Sequence, residues 1–262
     1  MPNKPPLATW EHHLPIRRGD EVTLLHEFKK GLRRLGIDLS RYRPAQSADA
    51  RLHRLLQRNG VDVVVDVGAN DGGFARSIRA AGFRGPVLSF EPLVDAHARL
   101  QIAAVRDAQW HVLPRMALGQ SEGCAEINIA GNSTSSSLLP MQDRHLQAAP
   151  HSHYVGRQTV HVQRLDAVSH PALDSARALH LKIDTQGYEM PVLRGATGLL
   201  HRTAVMQLEL SLVPLYVGQE LYKDLIDWVF DHGFELCGVL PGFVDENSGR
   251  MLQMDGLFAR PI

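Results

Sequence analysis

The chain has 262 residues, 44% of them hydrophobic, enough to bury one large core or two small ones without a disulfide staple. Lys plus Arg and Asp plus Glu both number 28, so the formal charge is zero and nucleic acid is not an expected partner. No apolar run approaches the ~18 residues of a membrane span and no secretory leader is evident; the two cysteines, Cys124 and Cys237, match no metal spacing and read as reduced, packed thiols of a cytoplasmic protein.

Residues 1 to about 19 are rich in Pro, His and charge and read as an arm. From Asp20, Val22, Leu25, Phe28, Leu32 and Leu35 recur at helical spacing beside Lys29, Lys30, Arg33 and Arg34. This basic helix either packs with a solvated charged face or makes peripheral contact with an acidic membrane surface or a lipid-linked substrate. A second helix is predicted from a Ser47 cap to Asn59, stopping before Gly60. From Val61 the pattern changes to short apolar runs alternating with helical ones: VDVVVDV, GGFARSIRAA, PVLSF, VDAHARLQIAA, QWHVL. Such runs are strands buried on both faces, a parallel sheet with helical crossovers. CAEINIA and QTVHVQRL flank a long polar stretch containing Gly131 to Ser137, which at that length reads as functional. ALHLKI, a helix over about Glu189 to Leu200, AVMQLEL and a helix from about Gln219 to His232 follow. FELCGVL and MLQMDGLFA are separated by a turn region too short for a crossover helix, so they form an antiparallel hairpin. Residues 1–60 are thus an N-terminal arm and helical extension, and 61–262 the main domain.

The loop after the first strand, Asp66-Val67-Gly68-Ala69-Asn70-Asp71-Gly72-Gly73, lets the backbone approach a ligand, and Asn70 tolerates positive φ. It is not a G-x-G-x-x-G fingerprint, and Asp66 and Asp71 would repel a diphosphate while welcoming an ammonium or sulfonium. Glu91, in SFEP at the end of the second strand, stands where such folds receive two ribose hydroxyls.

VDVGANDGGFARSIR, SFEP, RMALGQSEG, NSTSSSLL, LKIDTQGYEMPVLRGA and QLELS together resemble the FkbM-type S-adenosylmethionine-dependent methyltransferases, over roughly Val61 to Arg260. The resemblance implies an α/β class I methyltransferase (Rossmann-like) fold, a seven-stranded mostly parallel sheet with a C-terminal antiparallel hairpin, here with an N-terminal helical extension. It implies methyl transfer to oxygen, with Asp66, Gly68, Asn70 and Glu91 holding S-adenosylmethionine and Met116 and Ala117 near its adenine. Ala69, Asp71, Gly72, Pro92 and Asp184 complete the candidate cofactor set. The acceptor class, a sugar hydroxyl of a glycolipid, polysaccharide or glycosylated natural product, also comes from the resemblance. A polyketide hydroxyl, an amine, or a nucleoside-binding role without catalysis are the alternatives. Gln186 departs from the Glu that many members of the family carry.

Methyl transfer from a sulfonium is an in-line displacement, so alignment and a base or metal ion for a weakly acidic hydroxyl are required. Asp184 and Glu209 fall at the carboxyl ends of adjacent strands and are candidates for the base, or together for Mg²⁺ ligands. In the long loop, His145 is another candidate base and His153 and Ser136 are candidate acceptor contacts; Tyr216, in the loop that follows Glu209, is a further one. Asp184 could cap the next helix, but Pro191 would then sit too deep in it, so the helix should begin near Tyr188.

Overall fold

The computed structural model describes residues 18–37, 39 and 47–261, with side chains described from residue 26 onward. Nearly all of the expected N-terminal arm, and the side chains of Val22 and Leu25, lie outside the described residues. The chain divides into two compact units, Met1–Arg43 and Pro44–Ile262. In the first, helix α1 (Arg18–Arg34) ends on Arg33 and Arg34, cations placed at the negative end of the helix dipole.

The second unit opens with α2 (Ala48–Arg58), whose Ser47 cap accepts from Ala50 N at 3.4 Å and which buries Leu52 and Leu56. Then come β1 (Val63–Val67), α3 (Gly73–Ala81), β2 (Val87–Phe90), α4 (Val94–Ala104) and β3 (Trp110–Val112). A side sheet follows, made of β4 (Ala117–Leu118), β5 (Gly123–Ala130) and β6 (Tyr154–Gln163), with α5 (Asp143–Ala148) between the last two. The chain continues through α6 (Pro171–Asp174), β7 (Leu179–Ile183), α7 (Glu189–Arg194), β8 (Thr203–Ser211), α8 (Tyr222–Asp231) and β9 (Glu235–Pro241). A small hairpin of β10 (Val244–Asp245) and β11 (Arg250–Met251) leads to β12 (Gln253–Ala259).

The main sheet has the order β3-β2-β1-β7-β8-β12-β9. Its first five strands run parallel, while β12 is antiparallel to both β8 and β9, the hairpin read from the sequence. This is the sheet that the class I methyltransferase resemblance implied. All residues of β1, β2 and β7 are buried, because alternate side chains feed two cores. Val64, Val87 and Val205 pack against Leu56, Ile78 and Leu100 from α2, α3 and α4. Val65, Leu88, Leu181 and Leu208 pack against Leu193 and Leu225 from α7 and α8. Each fully buried side chain of this kind contributes about 1.5–3 kcal/mol.

Three local expectations change. The helix expected over Glu189 to Leu200 stops at Arg194, because Gly195 lies against the Gly119 carbonyl, where a Cβ would have no room; a 3-10 turn (Thr197–Leu199) completes the segment. The helix expected from Gln219 begins at Tyr222, since Gln219 Oε1 instead accepts from Leu215 N and Tyr216 N, while Asp224 accepts from Leu221 N at the helix start. Cys124 and Cys237 are free as expected but exposed rather than packed. Among the described residues no helix is long and apolar enough to cross a membrane.

Candidate functional site

The carboxyl ends of β1, β2, β7 and β8 open into a cavity of about 490 Å³, a size typical of sites for drug-sized ligands. At the end of β1 the chain turns through Gly68 (φ +77°), where a Cβ would lie 1.9 Å from the Asp184 carbonyl oxygen. Only glycine allows the ends of β1 and β7 to come this close. Gly68 N and Ala69 N then donate to Phe90 O, and Asn70 takes φ +47°, as its side chain tolerates. Glu91 is buried at the end of β2, with Oε2 accepting from Asn70 N (2.8 Å) and Oε1 from Leu93 N (2.9 Å). Burial pushes its pKa up to about 7 despite these two hydrogen bonds.

Gly68, Ala69, Asn70, Asp71, Glu91, Pro92, Met116 and Ala117 all line the cavity, as the sequence suggests. Gly72 and Asp66 do not line it. Gly72 (φ +87°) faces the Trp110 ring, where a Cβ would meet carbon at 2.5 Å, so its role is packing. Asp66 is fully buried beneath the cavity, 3.3 Å from Lys182 Nζ, with burial raising its pKa against the lowering pull of that lysine. The expectation that Asp66 faces a cationic ligand is corrected: the cation it meets belongs to the protein.

Lys182 organises the other half of the site. It is level with Asp66 in the β1/β7 register; its Nζ also lies 3.4 Å from Asp184 Oδ2 and donates to Gly68 O (3.3 Å), with the Phe74 ring 5.6 Å away. Burial opposes its charge, but Asp184 and Asp66 outweigh burial and hold the lysine protonated. Asp184, Glu209 and Asp255 line the same cavity, Asp255 of β12 standing directly opposite Glu209 in the antiparallel register. Burial raises the pKa of Asp255 to about 6, helped by the charge of Asp184, and raises that of Glu209 well above the carboxylate range, helped by Asp184, Glu189 and Asp255.

The loop between β7 and α7 holds this edge open. α7 begins at Glu189, and Pro191 falls in its first turn, so Asp184 is no cap. The buried Glu189 supplies the local anchor: its Oε1 accepts from Thr185 N (2.8 Å), Thr185 Oγ1 (3.1 Å) and Gly187 N (3.2 Å), and burial lifts its pKa to about 7. Gln186 takes φ +56° and turns its amide into the gap between the two acids. Its Nε2 donates to Asp184 Oδ1 (3.0 Å) and to both oxygens of Glu209 (2.9 Å each), while its Oε1 accepts from Tyr216 Oη (2.8 Å). The residues present therefore do not fit a Mg²⁺ ion bridging Asp184 and Glu209, because an amide N–H₂ fills the place such an ion would take. Among the described residues no group of three or more His, Cys, Asp or Glu side chains is set to hold a metal.

Ser136 lines the cavity, with its hydroxyl accepting from Ala130 N; Ser133 donates to Asn70 Oδ1 and Ser137 to Gln186 O, so the polar loop is tied to both halves of the site. Tyr216 is fully buried behind Gln186 and reaches the cavity only through that amide. His145 is not brought to the cavity: it is buried between Tyr216 and Phe243, and burial lowers its pKa to about 4. His153 is exposed outside it, bonded to Pro150 O. Lys182 and Asp255 were missed from sequence. A lysine inside the buried run LHLKI is a signal, since a buried ammonium demands a carboxylate on a neighbouring strand.

A model of the methyltransferase FkbM domain matches residues 66–236. None of the curated proteins compared with the chain is significantly similar to it. Among solved structures it is similar to an rRNA methylase from Streptococcus thermophilus (12% identity, 86% of this chain and 100% of that one, TM-score 0.42). It is also similar to Aeropyrum pernix fibrillarin in complex with natively bound S-adenosyl-L-methionine (11%, 76% and 66%, 0.40). A third likeness is to the precorrin-6y C5,15-methyltransferase of Geobacter metallireducens (10%, 83% and 89%, 0.43). Likenesses this remote say nothing about the substrate of the present chain.

Proposed function

The chain belongs to the FkbM methyltransferase family, whose members use S-adenosylmethionine, and on that premise we propose that it methylates oxygen, with a sugar hydroxyl of a glycolipid, polysaccharide or glycosylated natural product as acceptor. The observation that carries the reading is one cavity with Glu91 at one end, Asp184, Glu209 and Asp255 at the other, and a single lysine against them. Burial lifts Glu91, Asp255 and Glu209 toward neutrality, yet carboxyl groups outnumber cations among the described lining residues, which suits a cationic donor better than a pyrophosphate.

When bound, S-adenosylmethionine supplies a methyl group on positively charged sulfur and leaves as a neutral thioether. Glu91, fixed by two backbone N–H groups, receives the ribose hydroxyls, and Gly68 to Asn70 give the ligand close main-chain approach. Asp184 accepts the proton of the acceptor hydroxyl, with Lys182 Nζ 3.4 Å from its Oδ2 and Gln186 fixing its orientation. Glu209 and Asp255 hold the acceptor by accepting or donating hydrogen bonds. With Gln186 in place of a bridging ion, the proposed reaction is metal-independent.

A thermal-shift comparison tests the first half: S-adenosylhomocysteine at about a hundred times its Kd should raise Tm by about 5–10 °C, and NAD should not. Transfer of labelled methyl to saccharide, amine and RNA acceptors tests the second. No stabilisation by S-adenosylhomocysteine, or label found on nitrogen or RNA, overturns the proposal.

A further inference from the structure

Beneath the main cavity lies a second one of about 240 Å³, the volume of about eight liquid water molecules, between the sheet and the helices α2 and α3. The two share a wall made of Gly73, Phe74, Gln207 and Asp255. Gln207 is only 6% exposed, and its amide is half used: Nε2 donates to Asp255 Oδ2 (3.1 Å), whereas Oε1 has no hydrogen-bond partner among the described residues. The other polar groups of this cavity are the Asp255 and Asp49 carboxylates and the Ser77 hydroxyl; no Lys, Arg or His is among the described residues that line it.

We infer that this second cavity is the acceptor-side subsite, built for a ligand group that donates hydrogen bonds and carries no negative charge, such as the ring of a neutral sugar or an amino sugar. The inference rests on the proposed methyl transfer and adds the acceptor's seat and charge preference. Asp255 accepts from the acceptor's hydroxyls or ammonium, and Asp49 at the exposed rim extends the acidic lining. A phosphorylated sugar would face two carboxylates, with no cation among the described residues that line the cavity. Because Asp255 borders both spaces and stands opposite Glu209, a hydroxyl on a ring seated here can project past Asp255 toward Asp184.

The test uses the full chain saturated with S-adenosylhomocysteine and three probes: methyl α-glucopyranoside, glucosamine and glucose 6-phosphate, followed by saturation-transfer NMR. Wild type should bind the first two and not the third. Ser77→Phe, which fills the second cavity from α3 without lining the first, should weaken both sugars by about tenfold or more while leaving S-adenosylhomocysteine affinity unchanged. Asp49→Lys, at an exposed position, should weaken glucosamine more than the glucoside and admit glucose 6-phosphate; it decides the matter if Ser77→Phe loses S-adenosylhomocysteine binding through misfolding. Preference of the wild type for glucose 6-phosphate, no binding of either uncharged or cationic sugar, or sugar binding indifferent to both variants overturns the inference. Failure of the wild type to bind S-adenosylhomocysteine sinks the proposed function instead, so the two failures are distinct.

Discussion

The two halves of the cavity are built by different means. At the ends of β1 and β2 the groups offered are main chain plus one carboxylate, Glu91, locked by Asn70 N and Leu93 N. At the ends of β7, β8 and β12 they are side chains, Lys182, Asp184, Gln186, Glu209 and Asp255, whose charges perturb one another. The first half is held mainly by backbone N–H groups; the second is a network of charged side chains in which changing one member shifts the others. Recognition of a common donor needs the former, and adapting a reaction to an acceptor is served by the latter.

The sharpest division of labour would appear in Asp184→Asn. Methyl transfer should fall by about 10²–10⁴ with S-adenosylhomocysteine affinity little changed, measured by labelled transfer and by calorimetry. A parallel loss of affinity would break the comparison, since it would mean that the halves bind as one. Glu91→Gln should do the reverse, weakening S-adenosylhomocysteine by about 10–100-fold through lost charge-assisted hydrogen bonds. In wild type that affinity should fall as pH drops through about 7, because Glu91 becomes protonated there and loses acceptor strength, and the variant should lack this dependence.

Gln186→Glu should lower stability by about 1–3 kcal/mol by replacing a donor with a third carboxylate beside Asp184 and Glu209. Mg²⁺ should then stabilise the variant in thermal unfolding and leave the wild type unchanged; an equal response in both would undo the role given to this amide. The smallest effect is the pH dependence of the ligand-free fold. Glu91 and Glu189, raised to about 7, stay partly protonated in the folded chain at pH values where the unfolded chain has released those protons. Their contribution to stability therefore declines as pH rises from the ordinary carboxylate value to about 7 and levels off above it. His145 and His180, lowered to about 4 and about 3 by burial, act oppositely below about 6.5, where unfolded histidine takes up protons. Tm should thus fall by a few degrees between about pH 6.5 and 7.5, a change of about 1 kcal/mol, and bound S-adenosylhomocysteine should alter this slope through Glu91.

The sequence was informative where a residue's meaning is local. Gly68, Asn70 and Glu91 declare themselves by backbone freedom and by position at a strand end, and Pro191 alone places the start of α7. A parallel sheet closed by an antiparallel hairpin followed from the alternation of apolar runs and the short final turn. What escaped depends on register between distant strands. Asp66 looked available until Lys182 met it from β7, and Asp255 enters the site only because β12 returns antiparallel with that residue opposite Glu209. His145 could not be placed from a loop sequence, since the packing of Phe243 and Tyr216 around it is tertiary.

Tyr216 has one hydroxyl hydrogen and two acceptors within reach, Ser135 O at 3.1 Å and Gln186 Oε1 at 2.8 Å. The proton can be given well to only one of them at a time. The shorter of the two reaches the amide whose Nε2 bonds both acids, so the hydroxyl supports the orientation of Gln186. The phenol thus links the serine segment to the reacting edge by a second route, beside the direct bond from Ser137 Oγ to Gln186 O.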